Sequence, residues 1–264
     1  VHGTGLRSLI HPTAVVDPSA ELDSSVEVGP FAIIGAGVEI GAGTWIGPHA
    51  VLRGPTRIGR DNRIFQFASV GEDPQDKKYG GELTRLEMGD RNQVREFATL
   101  HRGTVQDQGV TRIGDDNLFM AYTHVAHDCR IGNQVILANA ASLGGHVEIQ
   151  DWAILGGFTI VHQFCRIGAH AFCAMGSVLT RDVPPYVVVA GHPAAPHGIN
   201  TEGLKRRGFS PEVIRIIRRA YRLLYLADLK LDEARARIAA LAASVPELQP
   251  LVEFIGTTGR GLVR

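Results

Sequence analysis

From Ile10 onward an aliphatic side chain recurs at every sixth residue: Ile10, Val16, Leu22, Val28, Ile34, Ile40, Ile46, Leu52, Ile58, Ile64 and Val70. A period of six is neither the 3.6 of an amphipathic helix nor the 2 of a half-buried strand. It suits a short strand plus a turn, repeated, and such a repeat sets the architecture of the whole chain. Three hexads close one coil of eighteen residues, giving a mainly β fold, a parallel β-helix. The aliphatic residue at position i points inward and stacks on its equivalent one coil away, at roughly 4.8 Å. Position i+4 is small or β-branched, as at Ala14, Ala20, Val26, Ala32, Val38, Thr44, Ala50, Thr56 and Ala68, which suits a narrow interior. Position i+1 is often glycine, and Gly and Asn are expected at the corners, where they tolerate left-handed backbone angles. Each coil buries apolar surface only against its neighbours, so stability is nearly one-dimensional.

The rhythm breaks after Val70, resumes at Met88, Val94 and Leu100, breaks again, and runs on from Ile113 to about Leu179. The first break, GEDPQDKKYGGELTRLE from Gly71 to Glu87, is charged, Gly-rich and aperiodic. Loops held by a rigid scaffold are where binding groups tend to sit, and Asp76 and Lys78 are its candidates for a polar substrate. The second, HRGTVQDQGVTR from His101 to Arg112, shifts the phase by one residue; its HRGT turn is read as structural or as closing over a site.

Lysine plus arginine and aspartate plus glutamate are 27 each, so the chain carries no net charge. That argues against a nucleic-acid or polyanion binder. Three cysteines without paired spacing fit a reduced, cytosolic setting better than a disulfide framework. No apolar run approaches the ~18 residues of a membrane span, and the start, VHGTGLRS, has no apolar signal core.

Four histidines ride on the hexads of Leu118–Gln163: His124, His127, His146 and His162. Positions 127, 145 and 163 differ by one coil, which predicts His127, Gly145 and Gln163 in one column, with His146 and His162 each one residue from it. Two chemistries suit such a column. Imidazoles can hold Zn²⁺. Alternatively His127 acts as an unmetallated general base, oriented by the carboxylate of Asp128 beside it. Gly145, with no side chain, would let a developing oxyanion approach its N–H. Base, orienting acid and oxyanion donor are the parts acyl transfer needs.

The hexads resemble those of the hexapeptide-repeat acyltransferases, a resemblance that implies a left-handed β-helix. The γ-class carbonic anhydrases share that fold with a histidine-bound metal, which keeps a metal-dependent hydratase as the alternative from another class. A non-catalytic scaffold is the plainer one. The strings QFASVGEDPQDKKY, HRGT, THVAHDC, LGGHV, VHQFCRIGAH, RDVPPYVVVAGHP and INTEGLKRRGF go further. Together they resemble the acyl-carrier-protein–UDP-N-acetylglucosamine O-acyltransferases of lipid A synthesis, over essentially the whole chain. The later N-acyltransferase of that pathway shares the β-helix but not the NxEGLKRRGF stretch.

The resemblance implies His127 as general base, Asp128 as its support and the Gly145 N–H as oxyanion donor. It places Asp76 and Lys78 near the sugar. His124, His146, His162 and Gln163 would line the sugar, diphosphate or acyl sites, and Asn200, Glu202, Arg206 and Arg207 the nucleotide end. It implies a homotrimer with sites between subunits, no metal or other cofactor, and an acyl donor carried on the phosphopantetheine of acyl carrier protein. Met175 stands where long-chain members carry Gly at the floor of the acyl groove, which implies a decanoyl-class 3-hydroxyacyl donor. His192-Pro193 and Tyr122 depart from the pattern of many members.

Past Val189 the hexads stop. Ser210-Pro211-Glu212 is a helix start, followed by an apolar stripe through Ile214, Ile217, Ala220, Tyr221, Leu224 and Tyr225. Further helices are expected over 232–243 and 246–255, with arginines 215, 218, 219 and 222 on the first helix as candidates to meet acidic acyl carrier protein. The expected division is a β-helix domain over 8–195 and a small C-terminal helical domain over 196–264.

Overall fold

The computed structural model describes residues 9–257 and 259–264; the expected start of the β-helix at residue 8 lies outside them. The sequence forms a left-handed parallel β-helix of short strands with a small C-terminal helical part. The chain divides into two compact units, residues 1–128 and 129–264.

In the first unit the hexad residues are the core: Val28, Ile34, Ile40, Ile46, Leu52, Ile58, Ile64, Val70, Val94, Leu100 and Phe119 are all nearly or wholly buried, as are the small residues Ala32, Ala50 and Ala68 at i+4. Successive coils pair in parallel. On one face Val15 lies opposite Ile33, Ile33 opposite Val51, Val51 opposite Ser69, Ser69 opposite Thr99 and Thr99 opposite His124. The partners are one coil apart except across the two sequence breaks, where extra residues leave the coil and return; the register shifts between Val70 and Glu72, where the first of them leaves.

The expectation of glycine at left-handed corners is met at Gly37 and Gly43, with φ of 66° and 70°, but two details of the coil differ from it. The left-handed positions are the i+3 residues of the hexads, and most are large: Phe31, His49, Phe67, Phe97 and Tyr122 have φ of 57° to 64°. Their rings stack in a column, with centroids 4.9–5.3 Å apart, and stacking of this kind offsets part of the cost of a left-handed L-residue. The i+1 glycines answer a different need. A Cβ on Gly29 would lie 2.8 Å from the Pro48 nitrogen, and one on Gly41 2.8 Å from the Gly59 carbonyl. They are glycines because the next coil passes too close for a side chain. Asparagine serves inside rather than at an open corner. Asn62, Asn92 and Asn117 are fully buried, each side-chain oxygen of the first two accepting the backbone N–H of the next at 2.8 and 3.0 Å.

In the second unit the same pairing continues, with Ser142 opposite Ile160 and Ile160 opposite Val178. Cys129, Cys165 and Cys173 are buried; burial pushes the thiols of Cys165 and Cys173 up to about 11 and about 12. The parallel coils end in an antiparallel hairpin, Val187–Gly191 with Ala194–Ile199. Its two-residue connection is His192-Pro193, and its second strand runs past residue 195. The hexad period gave no sign of this hairpin, because a reversal of direction has no place in a repeat of parallel turns.

Among the described residues four α-helices follow: α1 (Thr201–Arg206), α2 (Pro211–Tyr225), α3 (Leu231–Ala242) and α4 (Gln249–Gly256). Ser210 caps α2, its hydroxyl accepting the Val213 N–H at 3.2 Å. Ile214, Ile217 and Ala220 pack with Leu204, Ile238, Leu248, Leu251, Phe254 and Tyr186 in a second small core. Helix α1 lies in the stretch read as a binding motif. Among the described residues no helix is long and apolar enough to cross a membrane.

Candidate active site

His127 and Asp128 close the first unit. Asp128 is an i+3 corner residue with φ 59° and is almost fully buried. Burying a carboxylate demands hydrogen bonds, and it has them. Oδ1 accepts the Thr104 N–H at 2.9 Å, and Oδ2 accepts the Thr104 hydroxyl at 2.6 Å and faces His127 Nδ1 at 2.9 Å. The Asp128 N–H in turn donates to the Thr111 hydroxyl at 2.8 Å. An ionised carboxylate only accepts, so the Nδ1 of His127 carries a proton and Nε2 is the nitrogen turned away from Asp128. Nε2 is 3.9 Å from Oδ2 of Asp76. That gap is too long for direct bonding and wide enough for a hydroxyl to bridge from Nε2.

Asp76 comes from the 71–87 insertion, where its backbone and side chain build a turn. Its Oδ1 accepts the Lys78 N–H and its carbonyl the Tyr79 N–H, both at 3.0 Å. Its other oxygen is left towards His127. Lys78 is exposed. His124 lies across from Thr99, whose hydroxyl is 2.7 Å from its Nδ1, and its ring meets that of His101 edge-on at 5.2 Å. Burial first, then the charges of His101 and His127, push its pKa down to about 4. His124 is therefore neutral at physiological pH and serves as a hydrogen-bonding group. The first unit thus brings together His127, Asp128, Asp76 and His124, and adds Thr104 and Thr111, which sequence reasoning missed.

The remaining candidates lie in the second unit. Gly145 and Gln163 sit on consecutive coils as the eighteen-residue step predicts: the carbonyl of Gly145 accepts the Phe164 N–H at 3.1 Å. His146, at a left-handed corner, stacks on Phe164 with centroids 4.4 Å apart. His162 and Gln163 are exposed, His162 Nδ1 lying 3.1 Å from the Gln163 carbonyl. Met175 is 79% exposed, so it is no part of the core.

Asn200 caps α1 through Gly203 N–H and donates to the His170 carbonyl, so both ends of its amide are engaged internally. Glu202 pairs with Lys205 at 2.8 Å, and Arg206 is exposed. Arg207 is half-buried, donating to Nδ1 of His170 at 3.0 Å with its guanidinium over the Trp152 ring. Burial and the Arg207 charge push His170 down to about 4, which keeps that nitrogen an acceptor.

Coils of this repeat mark a class of protein, the hexapeptide-repeat transferases, and residues 111–145 match the family model described as bacterial transferase hexapeptide (six repeats). Residues 182–263 match that of UDP N-acetylglucosamine O-acyltransferase, domain 2. A relative from Herminiimonas arsenicoxydans named acyl-carrier-protein–UDP-N-acetylglucosamine O-acyltransferase is 56% identical over 97% of this chain and 100% of its own length. Another of that name, from Halorhodospira halophila, is 60% identical over 97% of this chain and 99% of its own. The crystal structure of the Francisella novicida UDP-N-acetylglucosamine acyltransferase superposes with a TM-score of 0.95 at 45% identity, covering 97% of this chain and 94% of that one. The chain belongs to the acyl-carrier-protein–UDP-N-acetylglucosamine O-acyltransferase family.

Proposed function

We propose that the protein transfers a (R)-3-hydroxyacyl group from acyl carrier protein to the glucosamine 3-position of UDP-N-acetylglucosamine, the first step of lipid A synthesis. The observation that carries the reading is the His127–Asp128–Thr104 array, with Nε2 3.9 Å from the Asp76 carboxylate, in a chain more than half identical to acyltransferases of that name. Nε2 of His127 takes the proton of the sugar 3-hydroxyl as its oxygen attacks the thioester carbon. The Gly145 N–H meets the oxyanion of the tetrahedral intermediate. Collapse breaks the C–S bond, and the proton on Nε2 passes to the departing phosphopantetheine sulfur. Asp128 holds the ring and does not itself exchange a proton in this scheme.

Asp76 and Lys78 lie near the sugar, and His124, His146, His162 and Gln163 line the sugar, diphosphate or acyl sites. Asn200, Glu202, Arg206 and Arg207 form the nucleotide end, where a guanidinium fork suits a diphosphate. The helical domain from residue 196 carries those groups and, on α2, the arginines offered to acyl carrier protein. The protein works in the cytoplasm as a homotrimer, needs no metal, and prefers a decanoyl-class donor because of Met175.

Incubation of the purified enzyme with mixed acyl-carrier donors and UDP-N-acetylglucosamine, with mass analysis of the product, tests the reading. An O-acylated sugar nucleotide, formed equally with a chelator present and lost in His127→Ala, is the expected result. Activity that vanishes with chelator, or persists in His127→Ala, overturns it in favour of a metal-dependent reaction or another base.

A further inference from the structure

Of the turn His101–Thr104 only Thr104, through its bonds to Asp128, has entered the site so far, although all three side chains are buried and polar: His101 is 4% exposed, Arg102 7% and Thr104 1%. A buried guanidinium is costly unless its donors are met. Arg102 meets those of its two terminal nitrogens inside the molecule, while its Nε is buried without a partner. Nη1 donates to the carbonyls of Gly54 at 2.6 Å and Gly71 at 3.0 Å; Nη2 donates to the Asp73 carboxylate and to the Tyr79 hydroxyl. His101 Nδ1 bonds the Asp73 carbonyl, which can only accept, so that nitrogen carries a proton. The backbone of the same turn reaches both ends of the insertion: Arg102 N–H donates to the Glu72 carbonyl at 3.1 Å and Gly103 N–H to the Arg85 carbonyl at 3.2 Å. At Gly103 a Cβ would lie 2.2 Å from the Val110 nitrogen, so only glycine lets the turn fold this tightly. The next residue, Thr104, gives both its donors to Asp128.

We propose that the turn His101–Thr104 is a clasp that sets both sides of the His127 site at once. Thr104 is a positioning residue for the base: it fixes the Asp128 carboxylate, which fixes the His127 ring and its tautomer. Arg102 and His101 are positioning residues for the acceptor: they fix Asp73, and with it the insertion that carries Asp76 and Lys78. A displacement of the turn moves the base and the sugar-binding loop together. The inference rests on His127 as the base of the proposed reaction.

The two arms predict different kinetics. Thr104→Val keeps the shape and the backbone donor and deletes the hydroxyl. Losing one hydrogen bond to a charged group should lower kcat on the order of tenfold or more, with both KM values within about twofold. Thr104→Ser should recover most of it. Arg102→Met should instead raise KM for UDP-N-acetylglucosamine, with the smaller effect on kcat. If that variant does not fold, Asp73→Asn weakens the same contact from the exposed side and should move KM the same way.

Wild-type kcat in Thr104→Val, or no recovery in a folded Thr104→Ser, overturns the clasp at the base. Unchanged KM in folded Arg102→Met and in Asp73→Asn overturns it at the loop. His127→Ala measured alongside separates the two levels. Inactive His127→Ala with normal Thr104→Val removes the clasp and leaves the reaction, whereas active His127→Ala removes the base assignment itself.

Discussion

Asp128 shows how much of a candidate site residue's behaviour is decided by groups far from it in sequence. Its place next to His127 was legible, because the two are neighbours in the chain. Thr104 was not. It is 24 residues away across a stretch that leaves the repeat, and a period cannot say how much chain an excursion consumes before the register returns. His124 is the second case. The sequence marks it only as one histidine of four, whereas the fold makes it a base too weak to protonate near neutrality, with its pKa held at about 4. The sign of the linkage follows. Above ~6.5 the ring is neutral folded or unfolded, and between ~6.5 and 4 only the unfolded chain takes the proton, so stability falls as pH drops through that window. Melting temperatures of wild type and His124→Asn at pH 7.5 and 5 check this. The gap between them should narrow at the lower pH; a constant gap would mean that the titration of His124 contributes nothing.

At the scale of the element, the hexad is a reliable guide to what points inward and a poor one to what happens at the corners. The third residue after a core position turns the chain; Gly37 and Gly43 do so in the first unit, but Phe31, His49, Phe67, Phe97 and Tyr122 do as well, with their rings stacked. Propensity alone would have called for glycine. The asparagine column was invisible for a related reason: its partners are one full coil away, and only the register brings them together. Asn92 accepts the Asn117 N–H, and its own amide donates to Asn62 Oδ1 and the Gly114 carbonyl. Asn92→Leu would strip partners from buried polar groups above and below, a loss of about 2–4 kcal/mol if two groups are orphaned. Denaturant unfolding measures it. A loss under ~0.5 kcal/mol, the range of neutral surface changes, would show that the column contributes little. Helix α1 was hidden because its residues were read for chemistry. Its capping Asn200 carries both a structural and a proposed binding role.

For the whole molecule, the hexad count and the motif strings located nearly everything that the family membership later supported. The antiparallel hairpin at Val187–Ile199 and the grouping of side chains around His127 needed the fold. Chain-length selection belongs at this scale, because Met175 stands 79% exposed in its own chain and can bound an acyl groove only where a second subunit covers it. Each methylene refused a buried seat forgoes roughly 0.8 kcal/mol. Competition between 3-hydroxydecanoyl and 3-hydroxymyristoyl donors should therefore favour the shorter one in wild type and shift towards the longer in Met175→Gly. Equal use of both donors by the wild type would remove Met175 as the ruler.

The three cysteines lead to a practical end. All are buried, and two have thiols whose ionisation is suppressed to about 11 and about 12. A thiol-selective dye reacts with thiolate, so these sulfurs are poor targets while the protein stays folded. A cysteine introduced at the exposed position 175 or 78 should then react far faster than the native thiols. Fluorophores or spin labels placed there could report on the surroundings of position 175 and on movement of the 71–87 insertion in real time, with no native cysteine removed first.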